Sequence, residues 1–222
     1  MTNRAFTLIE VLIVVAILAV LAAIVVPNFE EAQIRRNVSR VKSDLRTLAV
    51  GLDAYYNDFK HYPLMMVVPG TGGDVYQTAY VALNVMTTPV AYLPTVDLFD
   101  PFQPLVPTAG HPNPYHQYSR RYLYINYEPT PPDLLANKTA CNWMDAIGAR
   151  QYAATACILI SWGPNRKPDN LEWLLYESKI RHPLPDDLNG LGMIYDPTNG
   201  TVSGGDIGRL VGKTGGLDMF MR

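Results

Sequence analysis

The stretch Phe6–Phe29, FTLIEVLIVVAILAVLAAIVVPNF, decides the fold. Every residue from Val11 to Val26 is Val, Leu, Ile or Ala. Together with the apolar residues in front of it, this run reaches the about 20 residues that a helix needs to cross a bilayer. The sequence therefore predicts a membrane-spanning helix over residues 6–29.

One ionisable side chain, Glu10, lies inside the apolar run. A carboxylate in the bilayer costs a few kcal/mol unless a partner neutralises it, so a charge partner is expected. A cleaved secretory signal would end in a small-residue cleavage site, whereas Pro27 leads directly into more helical pattern. A plain signal anchor oriented by Arg4 stays open, but it leaves Glu10 unexplained.

Length and composition restrict the remainder of the chain. The 222 residues allow the membrane helix and one globular domain, and the formal net charge of -2 offers no basic field for nucleic acid. The 18 Pro, 16 Gly and 14 Tyr residues indicate many turns with aromatic packing. Cys141 and Cys157 fit an exported domain with one disulfide, and two buried free thiols are the alternative.

The helical pattern continues beyond the membrane run. Apolar residues at steps of three and four predict an amphipathic helix that packs one face on a core, joined to the membrane helix from Phe6 to His61 and ended by Pro63. The members of this stripe are Ile34, Val38, Val41, Leu45, Leu48, Leu52, Tyr55 and Phe59. The other faces carry Arg35, Arg36, Arg40, Lys42 and Arg46. These cations are interpreted either as a solvated flank beside anionic headgroups or as contacts to Glu30, Glu31 or Asp44 of adjacent subunits.

The second part of the chain indicates a small sheet. Tyr122–Tyr127 and Ala156–Trp162 are rich in β-formers and predict two strands. The turn Asp196–Gly200, between further β-formers, predicts a hairpin, and residues 75–88 allow a short helix. The expected fold class is α+β, with a long N-terminal helix packed on a small antiparallel sheet with long loops.

No catalytic arrangement emerges from the sequence. The fragment 212–214, Gly-Lys-Thr, lacks the leading glycine of a phosphate-binding loop, because Ile207 occupies that position. Ser161 lacks the setting of an esterase nucleophile, and none of the four histidines has ligand spacing with a carboxylate. We therefore expect a protein that is not an enzyme.

The N-terminus resembles that of type IV pilins and type II secretion pseudopilins. The resemblance rests on the short leader Met1–Ala5 followed by Phe6-Thr7-Leu8-Ile9-Glu10 and an unbroken apolar helix. It implies that a prepilin peptidase cleaves between Ala5 and Phe6 and methylates the new amine. It also implies that Glu10 pairs with the N-terminal amine of a neighbouring subunit and that the helix loosens at Pro27. Ala5 departs from the usual family glycine.

Later segments are similar to the major pseudopilin of type II secretion. These segments are Tyr92-Leu93-Pro94, Asp100-Pro101-Phe102, Ser161-Trp162-Gly163-Pro164-Asn165 and Asp206-Ile207-Gly208. The family holds calcium in its last loop, which implies a Ca²⁺ site at Asp206, at Asn165 in place of the usual aspartate, and at Asp169. Calcium uses such carboxylate and carbonyl oxygens. The alternative is that Asp206 only stabilises a turn.

The resemblance implies a leader peptide over 1–5, a transmembrane helix over 6–29 and a pilin-like domain over 30–222. The expected function is that of a structural subunit of a pilus or pseudopilus filament, a homopolymer assembled from the inner membrane by an assembly ATPase and a platform protein. The head would then lie in the periplasm or outside the cell. The alternative is a membrane-anchored binding module that does not polymerise.

Overall fold

A computed structural model describes residues 7–65, 82–103, 120–132, 156–167, 194–196 and 204–212. The elements within these ranges are one long helix, a short 3-10 helix and three strands: α1 (Leu8–Phe59), the 3-10 helix (Ala82–Met86), β1 (Leu123–Asn126), β2 (Ala156–Ser161) and β3 (Ile207–Gly212). The strands form an antiparallel sheet in the order β1-β2-β3. The expected α+β class is confirmed.

Helix α1 has well-formed caps at both ends. Thr7 is the N-cap of a capping box whose other member is Glu10. At the other end Lys60 adopts the left-handed conformation, with φ of 60°, and its backbone N–H donates to the Tyr56 carbonyl at 2.8 Å. The helix therefore ends at Phe59, two residues before the predicted end, because Lys60 already leaves helical geometry.

The two halves of α1 have different surroundings. The first half is apolar and exposed, and by length and composition it can cross a membrane, with a mean hydropathy of 3.2 and none of that window buried. The second half buries the predicted stripe from Val38 to Tyr55 against the head, whereas Phe59 remains 46% exposed. The 52-residue helix is thus about 78 Å long, and only its second half belongs to the globular core.

The head packs closely against α1 at Gly51. A Cβ atom at this position would lie 2.7 Å from Cδ2 of Leu93 and 3.2 Å from Cε of Met86. Both of these side chains are buried. The absence of a side chain at Gly51 therefore lets the segment after the 3-10 helix lie directly on α1.

The sheet confirms two predicted strands and adds one. All six residues of β2 are buried, as in a strand that is covered on both faces. The resemblance implies that residues 206–208 belong to a loop, which is wrong for residues 207 and 208, because Ile207 begins β3 and pairs with Ser161. The turn of the predicted hairpin lies outside the described residues, while Ile194 forms a parallel bridge with Asp206.

Candidate functional site: the N-terminal segment of α1 and the polar contacts of the head

Glu10 has a local hydrogen-bond partner in Thr7. The Thr7 backbone N–H and hydroxyl donate to Oε2 of Glu10 at 2.9 and 2.6 Å, and the Glu10 N–H donates to Oγ1 of Thr7 at 3.4 Å. These bonds satisfy acceptor sites but supply no positive charge. Within the described part of the chain Glu10 has no ion pair. The Ser/Thr-x-x-Glu signature could have predicted this capping box from the sequence, although our sequence analysis missed it.

The apolar surface around Glu10 is exposed on all sides of the helix. Large apolar side chains from Leu8 to Phe29 are 49–82% exposed, without a stripe that packs on the head. An all-round apolar helix needs lipid or other helices as its surroundings. The processing positions Ala5 and Phe6 lie outside the described residues.

Pro27 does not interrupt α1. The helix is continuous from Leu8 to Phe59 with Pro27 inside it, and the loosening that the resemblance implies for the filament stays a prediction. Proline has no N–H, which deprives the Ala23 carbonyl of its usual helical donor. The Asn28 side chain donates to the next carbonyl, that of Ile24, at 3.0 Å. Local side-chain bonding and the unbroken helix on both sides keep this turn helical.

The end of α1 is bound to β1 by a buried group that we call the helix-end latch, formed by Tyr62, Pro63, Tyr124, Asn126 and Glu128. Oε2 of Glu128 accepts from the Tyr62 N–H at 2.6 Å, and the Pro63 carbonyl accepts from the Tyr124 hydroxyl at 2.8 Å and from Nδ2 of Asn126 at 3.0 Å. Oδ1 of Asn126 accepts from the Glu128 N–H at 2.7 Å. Burial raises the pKa of the Glu128 carboxyl above its usual value. The latch fixes the direction in which the chain leaves the helix.

A second buried carboxylate, Asp100, joins two of the segments quoted for the resemblance. Its Oδ1 accepts from the Phe102 N–H and its Oδ2 from the Trp162 N–H, both at 2.9 Å. Ser161 also forms a side-chain hydrogen bond with Asp100, and burial raises the pKa of this carboxyl. The Asp-Pro-Phe and Ser-Trp segments thus have a structural role, in which the aspartate holds the end of β2.

Cys157 is a free, fully buried thiol rather than one half of the predicted disulfide. It lies on β2 opposite Asn126 and Val211, and its surroundings include the Tyr124 hydroxyl. Burial raises the pKa of this thiol well above its usual value. Cys141 lies outside the described residues.

The residues named for calcium are only partly described. Oδ1 of Asn165 accepts from the Lys167 N–H at 3.2 Å, and Asp206 is 1% exposed. Gly163 packs on Gly205, since a Cβ on Gly163 would lie 2.3 Å from the Gly205 carbonyl oxygen, which brings the two turns together. Asp169 is outside the described residues. Among the residues that are described, no group of three or more His, Cys, Asp or Glu side chains could hold a metal ion.

The comparisons with known proteins agree with this N-terminal geometry. Residues 1–26 match the family described as the prokaryotic N-terminal methylation motif. This motif, followed by an apolar helix long enough to cross a membrane and by a small antiparallel sheet, is consistent with a pilin-like fold.

Individual curated relatives show which pilin-like proteins the N-terminal part of the chain is similar to. The type IV major pilin protein PilA of Myxococcus xanthus is 43% identical over 60 residues, 27% of each chain. The type II secretion system core protein G of Klebsiella pneumoniae is 43% identical over 61 residues, 28% of this chain and 44% of that protein. The type IV wide pilus major component PilA4 of Thermus thermophilus is 35% identical over 86 residues, 39% of this chain and 57% of that protein.

These findings support the pilin and pseudopilin family and confirm the predicted resemblance at the N-terminus. The matches cover between about a quarter and little more than half of these three relatives. No solved structure matches the chain.

Proposed function

We propose that this chain is a structural subunit of a type IV pilus-like or type II secretion pseudopilus filament. The observation that carries the proposal is Glu10, a carboxylate without an ion pair in the described chain, set in a helix whose apolar surface is exposed all round. A carboxylate in such surroundings is costly unless a cation reaches it. The amine of another copy can supply that cation while the apolar helices of the two copies cover each other.

The maturation pathway follows from the same proposal. A prepilin peptidase cleaves between Ala5 and Phe6, and an assembly ATPase with its inner-membrane platform protein extracts the subunits into a filament. The precursor lies in the inner membrane, and its head lies in the periplasm or outside the cell. The named relatives are pilus and secretion-system components, which supports assembly rather than catalysis as the work of the chain.

Glu10→Ala tests the proposal against the alternative of a tethered binding module. The variant should insert in the membrane at the wild-type level and keep a folded head, because among the described residues the Glu10 side chain forms hydrogen bonds only with Thr7, but its filament yield should fall sharply. Glu31→Ala, which removes an exposed carboxylate paired with Arg35 on the same helix, is the matched control and should retain most of the yield. Normal filament yield from Glu10→Ala would favour the tethered module.

We further propose that the turns at Asn165 and Asp206 bind Ca²⁺, with Asp169 as a third ligand. One observation supports it, the close packing of Gly163 on Gly205 beside these residues, and the side chains named here offer the kind of oxygen ligand that calcium prefers. Its test is a thermal melt with calcium and with chelator, which is set out among the predictions below.

A further inference from the structure

Four charged side chains in the part of α1 from residue 30 to residue 46 have no ion pair within the described residues. Glu30, Arg36, Lys42 and Arg46 carry these charges, whereas Arg35 pairs with Glu31 at 2.7 Å and Arg40 with Asp44 at 3.6 Å on the same helix. Glu30, Arg36 and Arg46 are exposed, and Lys42 is half-buried. The intrahelical pairs leave one anion and three cations available to a partner.

The anion and the cations lie on different sides of α1. At about 100° per residue, Arg46 lies about 160° around the helix from Glu30, and Lys42 and Arg36 lie about 120° away in opposite senses. The buried stripe, which includes Val41 and Leu45, lies about 20–60° around the helix from Glu30, so Arg36 and Arg46 face away from the buried side and Lys42 lies at its edge. One side of the helix therefore offers a negative charge and the far side offers positive charges, an arrangement that two parallel copies can satisfy side by side. Such a head-to-tail contact generates an open helical assembly when each copy is also displaced along the helix axis.

The heights of the charges favour another copy over lipid. At about 1.5 Å per residue, Arg36, Lys42 and Arg46 lie about 9, 18 and 24 Å from Glu30 along α1 in the direction of its C-terminal end, which we call upward. The free cations thus extend over about 15 Å, while the polar layer on one side of a bilayer is only about 5–8 Å thick. Headgroups can reach Arg36, but they cannot reach all three cations at once. A parallel copy that is displaced upward brings its Glu30 to the height of one of them.

We infer that Glu30 of one subunit pairs with Arg36, Lys42 or Arg46 of the subunit below it, and that this contact sets the axial displacement between neighbouring copies. The inference rests on the proposed filament function and specifies the contact surface that this function uses. The residues of this contact follow directly on α1 after the apolar segment through which the membrane helices of neighbouring copies pack. The contact admits three displacements, of about 9, 18 or 24 Å. Only the smallest is compatible with pairing of Glu10 and the N-terminal amine between the same two copies, because these groups are four residues apart in the sequence; the larger two require different copies.

Charge exchange in the full-length chain, expressed with its assembly machinery, tests the inference. Glu30→Lys should lower the filament yield about fivefold, since an exposed pair contributes up to about 1 kcal/mol and here becomes repulsive. Combining Glu30→Lys with Arg36→Glu, Lys42→Glu or Arg46→Glu should restore the yield for the one cation that makes the contact. That cation then identifies the displacement.

The matched control is Glu30→Lys combined with Lys167→Glu, an exposed cation outside α1, which should restore nothing. All of the variants alter charges outside the apolar run, on side chains that are exposed or, for Lys42, half-buried, so their membrane content should equal that of the wild type. A wild-type yield from Glu30→Lys, or rescue by none of the three exchanges, would overturn the inference. Variants of the cations that lose membrane retention without losing filaments would instead assign these residues to lipid. Absence of filaments from the wild type would count against the proposed function itself.

Discussion

The helix-end latch makes the sharpest prediction about the stability of the head, through the substitution Asn126→Ala. Asn126 is fully buried and connects three groups by side-chain hydrogen bonds. Its Nδ2 donates to the carbonyls of Tyr62 and Pro63 at 3.4 and 3.0 Å, and its Oδ1 accepts from the Glu128 N–H at 2.7 Å. Alanine removes all three bonds without changing the backbone.

The loss of stability depends on which hydrogen bonds the former partners of Asn126 still make in the variant. The Pro63 carbonyl keeps the Tyr124 hydroxyl at 2.8 Å and the Tyr62 carbonyl keeps the His61 ring Nδ1 at 2.9 Å, but the Glu128 N–H loses this acceptor. A buried group left without its partner costs about 1–3 kcal/mol. With the small cavity added, we expect Asn126→Ala to lower the free energy of unfolding by about 3 kcal/mol. For a domain of this size, that change lowers Tm by about 6–12 °C.

The assay is denaturant and thermal unfolding of the full chain in detergent micelles, followed by near-ultraviolet circular dichroism of the head's Tyr and Trp residues. Asn57→Ala is the matched control, because it removes the same amide from an exposed position on α1 and should change stability by no more than about 0.5 kcal/mol. If Asn126→Ala were as stable as Asn57→Ala, the latch would not hold the helix to the sheet.

Four further outcomes are expected. Intact-mass analysis of membrane-purified protein should show loss of Met1–Ala5 and a methylated new N-terminus; retention of the leader beside an active prepilin peptidase would exclude processing. A thiol reagent should label Cys157 once the chain is unfolded, with no need for a reductant, and should not label it in the folded chain. If labelling of the unfolded chain requires a reductant, Cys157 is bonded to Cys141. The folded chain binds the Glu128 proton more tightly than the unfolded chain, because burial raises this pKa above its ordinary 4.5. The free energy of unfolding should therefore fall as the pH rises from about 4.5 through the raised value, and Glu128→Gln should flatten this part of the profile in denaturant titrations. Calcium should raise Tm and chelator should lower it again in the wild type but not in Asp206→Ala; identical melting of the wild type in both conditions would contradict the calcium site.

Periodic features of the sequence predicted the helix and its packing face. A continuous apolar run and steps of three and four are local properties, so the stripe from Val38 to Tyr55 could be assigned before any contact was known. The same holds for β1 and β2, which lie in segments rich in β-formers. Strand β3 was missed because Gly208 and Gly212 alternate with its inward residues and resemble a turn.

Contacts between distant segments could not be predicted in this way. Tyr62 and Glu128 are 66 residues apart, and no local pattern indicates that a carboxylate after β1 will accept the N–H at the end of α1. Asp100 is a similar case, since it meets Trp162 at a separation of 62 residues. The free state of Cys157 also depends on its place in the core, which composition alone does not show.

Negative-stain electron microscopy of cells that express the wild-type chain with its peptidase, ATPase and platform protein tests the central claim most directly. The proposed function predicts thin filaments that antibodies against the head label along their whole length, and predicts few or none when Glu10 is replaced by alanine. A processed, membrane-inserted and folded chain that forms no filaments under these conditions would contradict it.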